Sequence, residues 1–251
     1  MPSTKSGRAL RVVGLALGCV LVLQCLAGEA SLQTAATAGP ATAQSSGPDQ
    51  PRITFVFDHP QLSPNHFEIL VDRSGKGSYV SHSEPNADTS EALSARVRDE
   101  DLQRTILLSQ RTTERIFELA KAARYFNGEF DYTKTKIAFT GKKTLSYKDN
   151  KRSFSTTFNW SEDRAVDELQ GIFLGISSTL ESGARLEHML QHEKLALNSE
   201  LASLEQATKN RQTAELQLIA AVLKQIAADD SVMVLARRRA ERLLAAAGIE
   251  K

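Results

Sequence analysis

The chain is 251 residues long, 41% hydrophobic and 24% charged, with 31 Lys and Arg against 30 Asp and Glu. This is the profile of a soluble globular protein of one or two domains, and it excludes collagen-like chains, chains of coiled coil alone and polytopic membrane proteins. The balanced charge gives no global reason to bind nucleic acid. Both cysteines, Cys19 and Cys25, lie in the first 25 residues, so a chain that loses its N-terminus carries no thiol.

Lys5, Arg8 and Arg11 precede an apolar run from Val12 to Leu26, and small residues stand at Gly28 and Ala30. That order of charge, apolar stretch and small residues reads as a secretory signal over 1–30, cut after Ala30. A retained membrane anchor is the alternative, although spanning a bilayer takes about 20 apolar residues and this run has about 15. Neither cysteine sits in a good lipidation context: Cys19 lies inside the run, and Cys25 follows the bulky Gln24. Cleavage leaves 28 basic and 29 acidic residues. Residues 31–51, rich in Ala, Thr, Ser, Gln, Gly and Pro, cannot bury enough surface to fold and read as a flexible linker.

From Ile53 the pattern becomes strand-like. Ile53, Phe55 and Phe57 share one face, and Phe67, Ile69 and Val71 the next. Asp72 to Gly77 is turn chemistry, and Ser78 to Ser81 returns as the second arm of a hairpin. Residues 83–92 are polar and form a loop. A short strand around Thr105 to Leu108 leads into Ser109 or Thr112 as cap of a helix carrying Ile116, Phe117, Ala120 and Ala123, which ends at Asn127-Gly128. Alternation from Ile137 to Trp160, with turns at 140–143 and 148–151, predicts a three-stranded meander, inward at Phe154, Phe158 and Trp160 and outward at Ser153, Ser155 and Thr157.

Beyond Trp160 the period changes to that of helices. Ser161 is the expected cap of a helix with a stripe at Val166, Leu169, Phe173, Ile176 and Leu180, broken at Ser182-Gly183. Leu186, Leu190, Leu197, Leu201 and Leu204 mark a second helix, and Leu216, Ile219, Val222, Leu223 and Ile226 a third. A fourth, capped by Asp229, Asp230 or Ser231, runs to about Gly248. The expected class is α+β: an antiparallel sheet covered by a helix over 52–160, followed by a helical region of three to four helices over 161–251.

The runs Arg115-Ile116-Phe117-Glu118-Leu119-Ala120, Ala138 to Leu145 and Ala236-Arg237-Arg238-Arg239-Ala240 resemble a family of exported bacterial proteins with no assigned function. The likeness spans most of the chain after residue 100. It implies export and a shared fold, and it assigns no catalytic residue.

Motifs that carry chemistry are few. His188 and His192 are four apart on a helix, a spacing open to a metal, but at roughly 100° per residue they lie opposite the leucine stripe and face solvent. The triplet between them lacks the glutamate of a zinc-protease helix. Thr140-Gly141-Lys142-Lys143-Thr144 and Ser74-Gly75-Lys76-Gly77-Ser78 superficially resemble phosphate loops but lie between strands, as hairpin turns. Nucleophile elbows are missing. Asp58-His59, His66-Phe67-Glu68 and His82 place carboxylates and imidazoles on adjacent strands, the basis of a hydrolase reading. Arg237, Arg238, Arg239 and Arg242 concentrate charge on the last helix, which suits its C-terminal dipole, an acidic partner or anionic lipid head groups. No cofactor and no nucleic acid are expected. The reading is an exported, non-enzymatic module that binds a protein or envelope component through its sheet edge or helical stack, touching the membrane only if the N-terminus is retained.

Overall fold

A computed structural model describes residues 50–83 and 101–249; the expected leader, most of the linker and the polar loop at 84–92 lie outside them. Three N-terminal strands follow the alternation of their sequences: β1 (Arg52–Asp58), β2 (His66–Asp72) and β3 (Lys76–His82). Strand β4 (Leu102–Leu107) leads into helix α1 (Gln110–Ala122). Ser109 caps α1 by accepting from the Thr112 N–H, and both its N–H and Oγ donate to Glu215, distant in sequence. Strands β5 (Lys142–Lys148) and β6 (Ser153–Phe158) complete one antiparallel sheet in the order β4-β3-β2-β1-β5-β6. The α+β class is therefore present, with the sheet in the N-terminal part and most helices in the C-terminal part.

Helix α2 (Arg164–His192) is 29 residues long, roughly 44 Å. It is followed by α3 (Leu197–Lys209), α4 (Ala220–Ala228) and α5 (Val234–Ala246). Two apolar cores result. In the first, Phe55, Ile69, Leu145 and their neighbours meet Ile116 and Phe117 of α1 and Val166, Leu169, Phe173, Ile176 and Leu180 of α2; the Phe55 and Phe173 rings stack with centroids 5.1 Å apart. The second begins at Leu186 and joins α2 to the leucines of α3 and the apolar stripes of α4 and α5.

The structure corrects the sequence reading at several points. Ser182-Gly183 does not break a helix. Both residues are buried inside α2, and a Cβ on Gly183 would stand 2.3 Å from Ile219 Cγ2, so this glycine lets another element pack close. The real break comes ten residues later, between His192 and Leu197. Asp163 caps α2 in place of Ser161, accepting from the Ala165 and Val166 N–H groups. Helix α5 has Met233 at its cap with no side-chain bond, while Asp229 caps the turn before it by accepting from Ser231.

The meander has two strands, not three. Residues 138–140 run along the Asn159 side chain, whose Oδ1 accepts from the Thr140 N–H and whose Nδ2 donates to the Ala138 carbonyl. Phe139 is 58% exposed. Gly141 turns at φ +104 with the Phe57 ring where a Cβ would sit, and β5 then pairs with β1 rather than with a strand before it. The face assignment in β6 holds: Phe158 and Thr156 are buried and Phe154 half-buried, whereas Ser153, Ser155 and Thr157 are exposed. Trp160 lies beyond the strand, half-buried, edge-on to Tyr132.

Removing the Phe158 ring empties core volume, which costs about 3–5 kcal/mol, while a surface substitution changes stability by about 0.5 kcal/mol. Phe158→Ala should therefore strongly destabilise the protein and Thr157→Ala should change it by less than about 1 kcal/mol, measured by urea denaturation. The reverse ranking would show a register shifted by one residue.

Candidate functional site

Helices α1 and α2 cover one face of the sheet. On the other face the alternating residues form rows across all six strands. One row runs Gln103, Val80, Glu68, Val56, Thr144, Thr157, and the next Thr105, Ser78, Leu70, Thr54, Ser146, Ser155. None of these twelve side chains is buried. Hydroxyls pair across β5 and β6, Thr144 with Thr157 at 3.0 Å and Ser146 with Ser155 at 2.9 Å.

A third row, at the end of this open face, carries the sheet's histidines. Register places His66 between Asp58 and His82, with Lys142 beyond Asp58. His66 Nδ1 lies 2.6 Å from Asp58 Oδ1, and His82 Nδ1 lies 2.5 Å from Asp101 Oδ1. The ring centroids of the two histidines are 5.6 Å apart. Each carboxylate accepts from an Nδ1–H, which holds the proton there and leaves Nε2 as the coordinating or accepting nitrogen. Asp58, His66 and His82 thus meet as the strand pattern suggested. His59 does not join them: it lies past the end of β1, accepts from the Gln61 N–H and packs on Phe139. Glu68 stands one row away, opposite Val56 and Val80. Asp101 went unread because its place follows from β3–β4 pairing across a long connection; the start of the expected strand at Thr105, carried back four residues, is the signal that would have found it.

The other sequence candidates have different surroundings. His188 is half-buried and His192 exposed, with ring centroids 4.7 Å apart on the last turns of α2; the neighbouring Glu187 is taken by Arg104 at 2.6 Å. Among the described residues no group of three or more His, Cys, Asp or Glu side chains is arranged to hold a metal. Arg237 pairs with Asp230 at 2.6 Å, and Arg239 and Arg242 both bind Glu205 of α3. Burial pushes the Glu205 carboxyl up, but Arg242 and Arg239 outweigh it and hold the group below its ordinary range. Of the four arginines, Arg238 and Arg242 are exposed. The cluster therefore fastens α5 to α3 and to its own N-terminal turn.

Lys143, second in the lysine pair of the phosphate-loop lookalike, is buried on the core face of β5. Its ammonium donates to the carbonyls of Thr140, Gly141 and Asn159 and to Thr140 Oγ1. Burial lowers its pKa, with Asp131 acting in the opposite sense. This is a lysine that closes a loop. Ser74 and Gly75 lie in the β2–β3 hairpin turn while Lys76 to Ser78 already belong to β3, and Asp72 Oδ1 accepts from the Ser74 and Lys76 N–H groups.

One buried polar cluster escaped the sequence reading altogether. Glu181, 4% exposed, lies under the sheet on α2. Its Oε1 accepts from Tyr79 Oη at 2.8 Å and Ser81 Oγ at 2.6 Å. Because the single phenolic proton goes to Glu181, Ser177 Oγ is the donor in its 2.9 Å bond to Tyr79. Burial first, and the Glu181 charge second, push the Tyr79 pKa far above the phenol range, so the phenol stays a donor at any physiological pH. Ser182 and Glu200 accept from Arg185, which extends the polar layer to α3.

The chain matches no family model and no curated protein. Among the described residues no helix is long and apolar enough to cross a membrane.

Removing the Glu181 carboxylate leaves two buried hydroxyl donors without it, at about 1–3 kcal/mol each. Glu181→Ala should cost about 2–6 kcal/mol in urea denaturation, and Glu181→Gln, which keeps an acceptor oxygen, distinctly less. Equal losses in the two variants would show that the accepting oxygen is not what holds β3 to α2.

Proposed function

We propose that the protein is an exported, non-enzymatic module that binds a protein partner through the open face of its sheet, at the cell envelope or outside the cell. The observation that carries this reading is the face itself: twelve accessible side chains in two rows, seven of them Ser or Thr, with the half-buried aliphatics Val56, Leu70 and Val80 and the polar Glu68 and Gln103 between and beside them. Glu68, between Val56 and Val80, is the one charged side chain among the twelve, and charge is depleted at the core of protein–protein interfaces. The rival surface, the arginines of α5, has three of its four cations paired within the molecule. Export rests on the N-terminal charge, apolar run and small residues, and on the resemblance to exported bacterial proteins.

Tagged protein recovered from outside the cytoplasm tests both halves. Its intact mass is expected to begin at Ser31. Val56→Glu and Val80→Glu, which place charge at the centre of the face, are expected to abolish capture of the partner that the unaltered protein retains, while Arg238→Ala keeps it. Capture that survives both sheet variants and is lost with Arg238→Ala would move the interface to the helical stack.

A second reading, a hydrolase, draws on the Asp58–His66 dyad. Its imidazole is open to solvent and no hydroxyl nucleophile is bonded to it among the described residues, which favours binding over catalysis. Ester or amide turnover abolished by His66→Ala would establish the enzyme instead.

A further inference from the structure

The sheet's histidine row has a chemistry that partner binding does not use. His66 and His82 are directly opposed on neighbouring antiparallel strands, so their spacing is fixed by the ladder and not by loop conformation. An imidazole that ligates a metal through Nε2 characteristically donates its Nδ1–H to a carboxylate, which fixes the tautomer and raises the basicity of the ligating nitrogen. Both histidines have that arrangement already, to Asp58 on one side and to Asp101 on the other. Two rings bound to one ion at about 2.0–2.1 Å per nitrogen have centroids roughly 5–6 Å apart; these stand at 5.6 Å.

The geometry points to a binding site for a late first-row divalent metal ion, Zn²⁺ or Cu²⁺, held between Nε2 of His66 and Nε2 of His82 with Asp58 and Asp101 as outer-shell carboxylates. Two protein ligands leave the remaining positions to water, so the site is open and exchangeable rather than a closed structural centre. Imidazole donors favour these ions over Mg²⁺ and Ca²⁺, which seek oxygen, and the usual order places Cu²⁺ above Zn²⁺. The helical pair His188 and His192 shares the imidazoles but has no carboxylate bonded to either ring among the described residues, so it lacks the groups that orient ligands in advance. The inference stands independently of the partner-binding reading.

The test is a titration of the chain, carrying Cys19→Ser and Cys25→Ser so that thiols take no metal, with Zn²⁺, Cu²⁺ and Mg²⁺ separately. Calorimetry gives the affinity, and imidazole proton resonances show which rings respond. One equivalent of Zn²⁺ is expected to shift the His66 and His82 signals, with Cu²⁺ tighter and Mg²⁺ without effect. His66→Ala or His82→Ala should weaken binding at least tenfold. Asp58→Asn and Asp101→Asn, which leave both ligands in place, should weaken it by about 10-fold or more. His66→Gln serves as a second ligand variant, and unchanged far-ultraviolet dichroism certifies each fold. Affinity unchanged in the His66 and His82 variants overturns the proposal, as does binding lost only in His188→Ala or His192→Ala. Equal binding of Mg²⁺ would show carboxylate attraction in place of imidazole ligation and overturn it too.

Discussion

The Glu181 carboxylate has left water for the boundary between two apolar cores, and hydroxyl donors from β3 make that burial tolerable. The first core ends on α2 at Leu180 and the second begins at Leu186. Between them lie Glu181, Ser182, Gly183 and Arg185, a polar layer whose members reach β3 on one side and α3 on the other. A continuous apolar stripe on α2 would let the helix slide or rotate between its two partners. A buried acceptor that must meet Tyr79 and Ser81 fixes both its depth and its rotation. Gly183 then allows Ile219 to approach the same turn, and Thr179 donates to the Ala214 carbonyl just beside it. The segment leading into α4 is thus seated on α2 by the residues that position it on the sheet.

With α2 so placed, the helical cover of the sheet among the described residues lies on one side. The opposite face carries mostly hydroxyl and aliphatic side chains, with Glu68 and Gln103 among them, and the histidine row sits at its end because Asp58, His66 and His82 fall on outward positions of their strands. The face proposed to bind and the face that stabilises are separated by the two-residue period of the strand. Substitutions on the outer rows should accordingly alter function with little effect on the fold.

The elements whose signals are local were legible in the sequence. The β2–β3 hairpin, the Ser109 cap and the inward and outward faces of β6 follow from turn residues, a capping side chain and strict alternation. The misreadings arose where a distant partner reverses a local signal. Ser182-Gly183 has the composition of a break, yet the packing of Ile219 makes glycine a requirement inside the helix. Ile137 and Phe139 alternate, yet the Asn159 side chain takes the neighbouring Ala138 carbonyl and Thr140 N–H. The site divides in the same way: three of its four residues lie on strands that alternation identifies, whereas Asp101 and the whole Glu181 network depend on pairings across many residues.

The central claim is that α2, pinned at Glu181, joins the sheet and the helical stack into one cooperative unit. Guanidinium denaturation followed by two probes tests it most directly. The single Trp160 reports on the sheet side by its fluorescence, and far-ultraviolet dichroism reports on the helices. The two transitions are expected to coincide in midpoint and slope. A helical transition displaced from that of Trp160 would mean that the two cores unfold separately, and that Glu181 does not couple them.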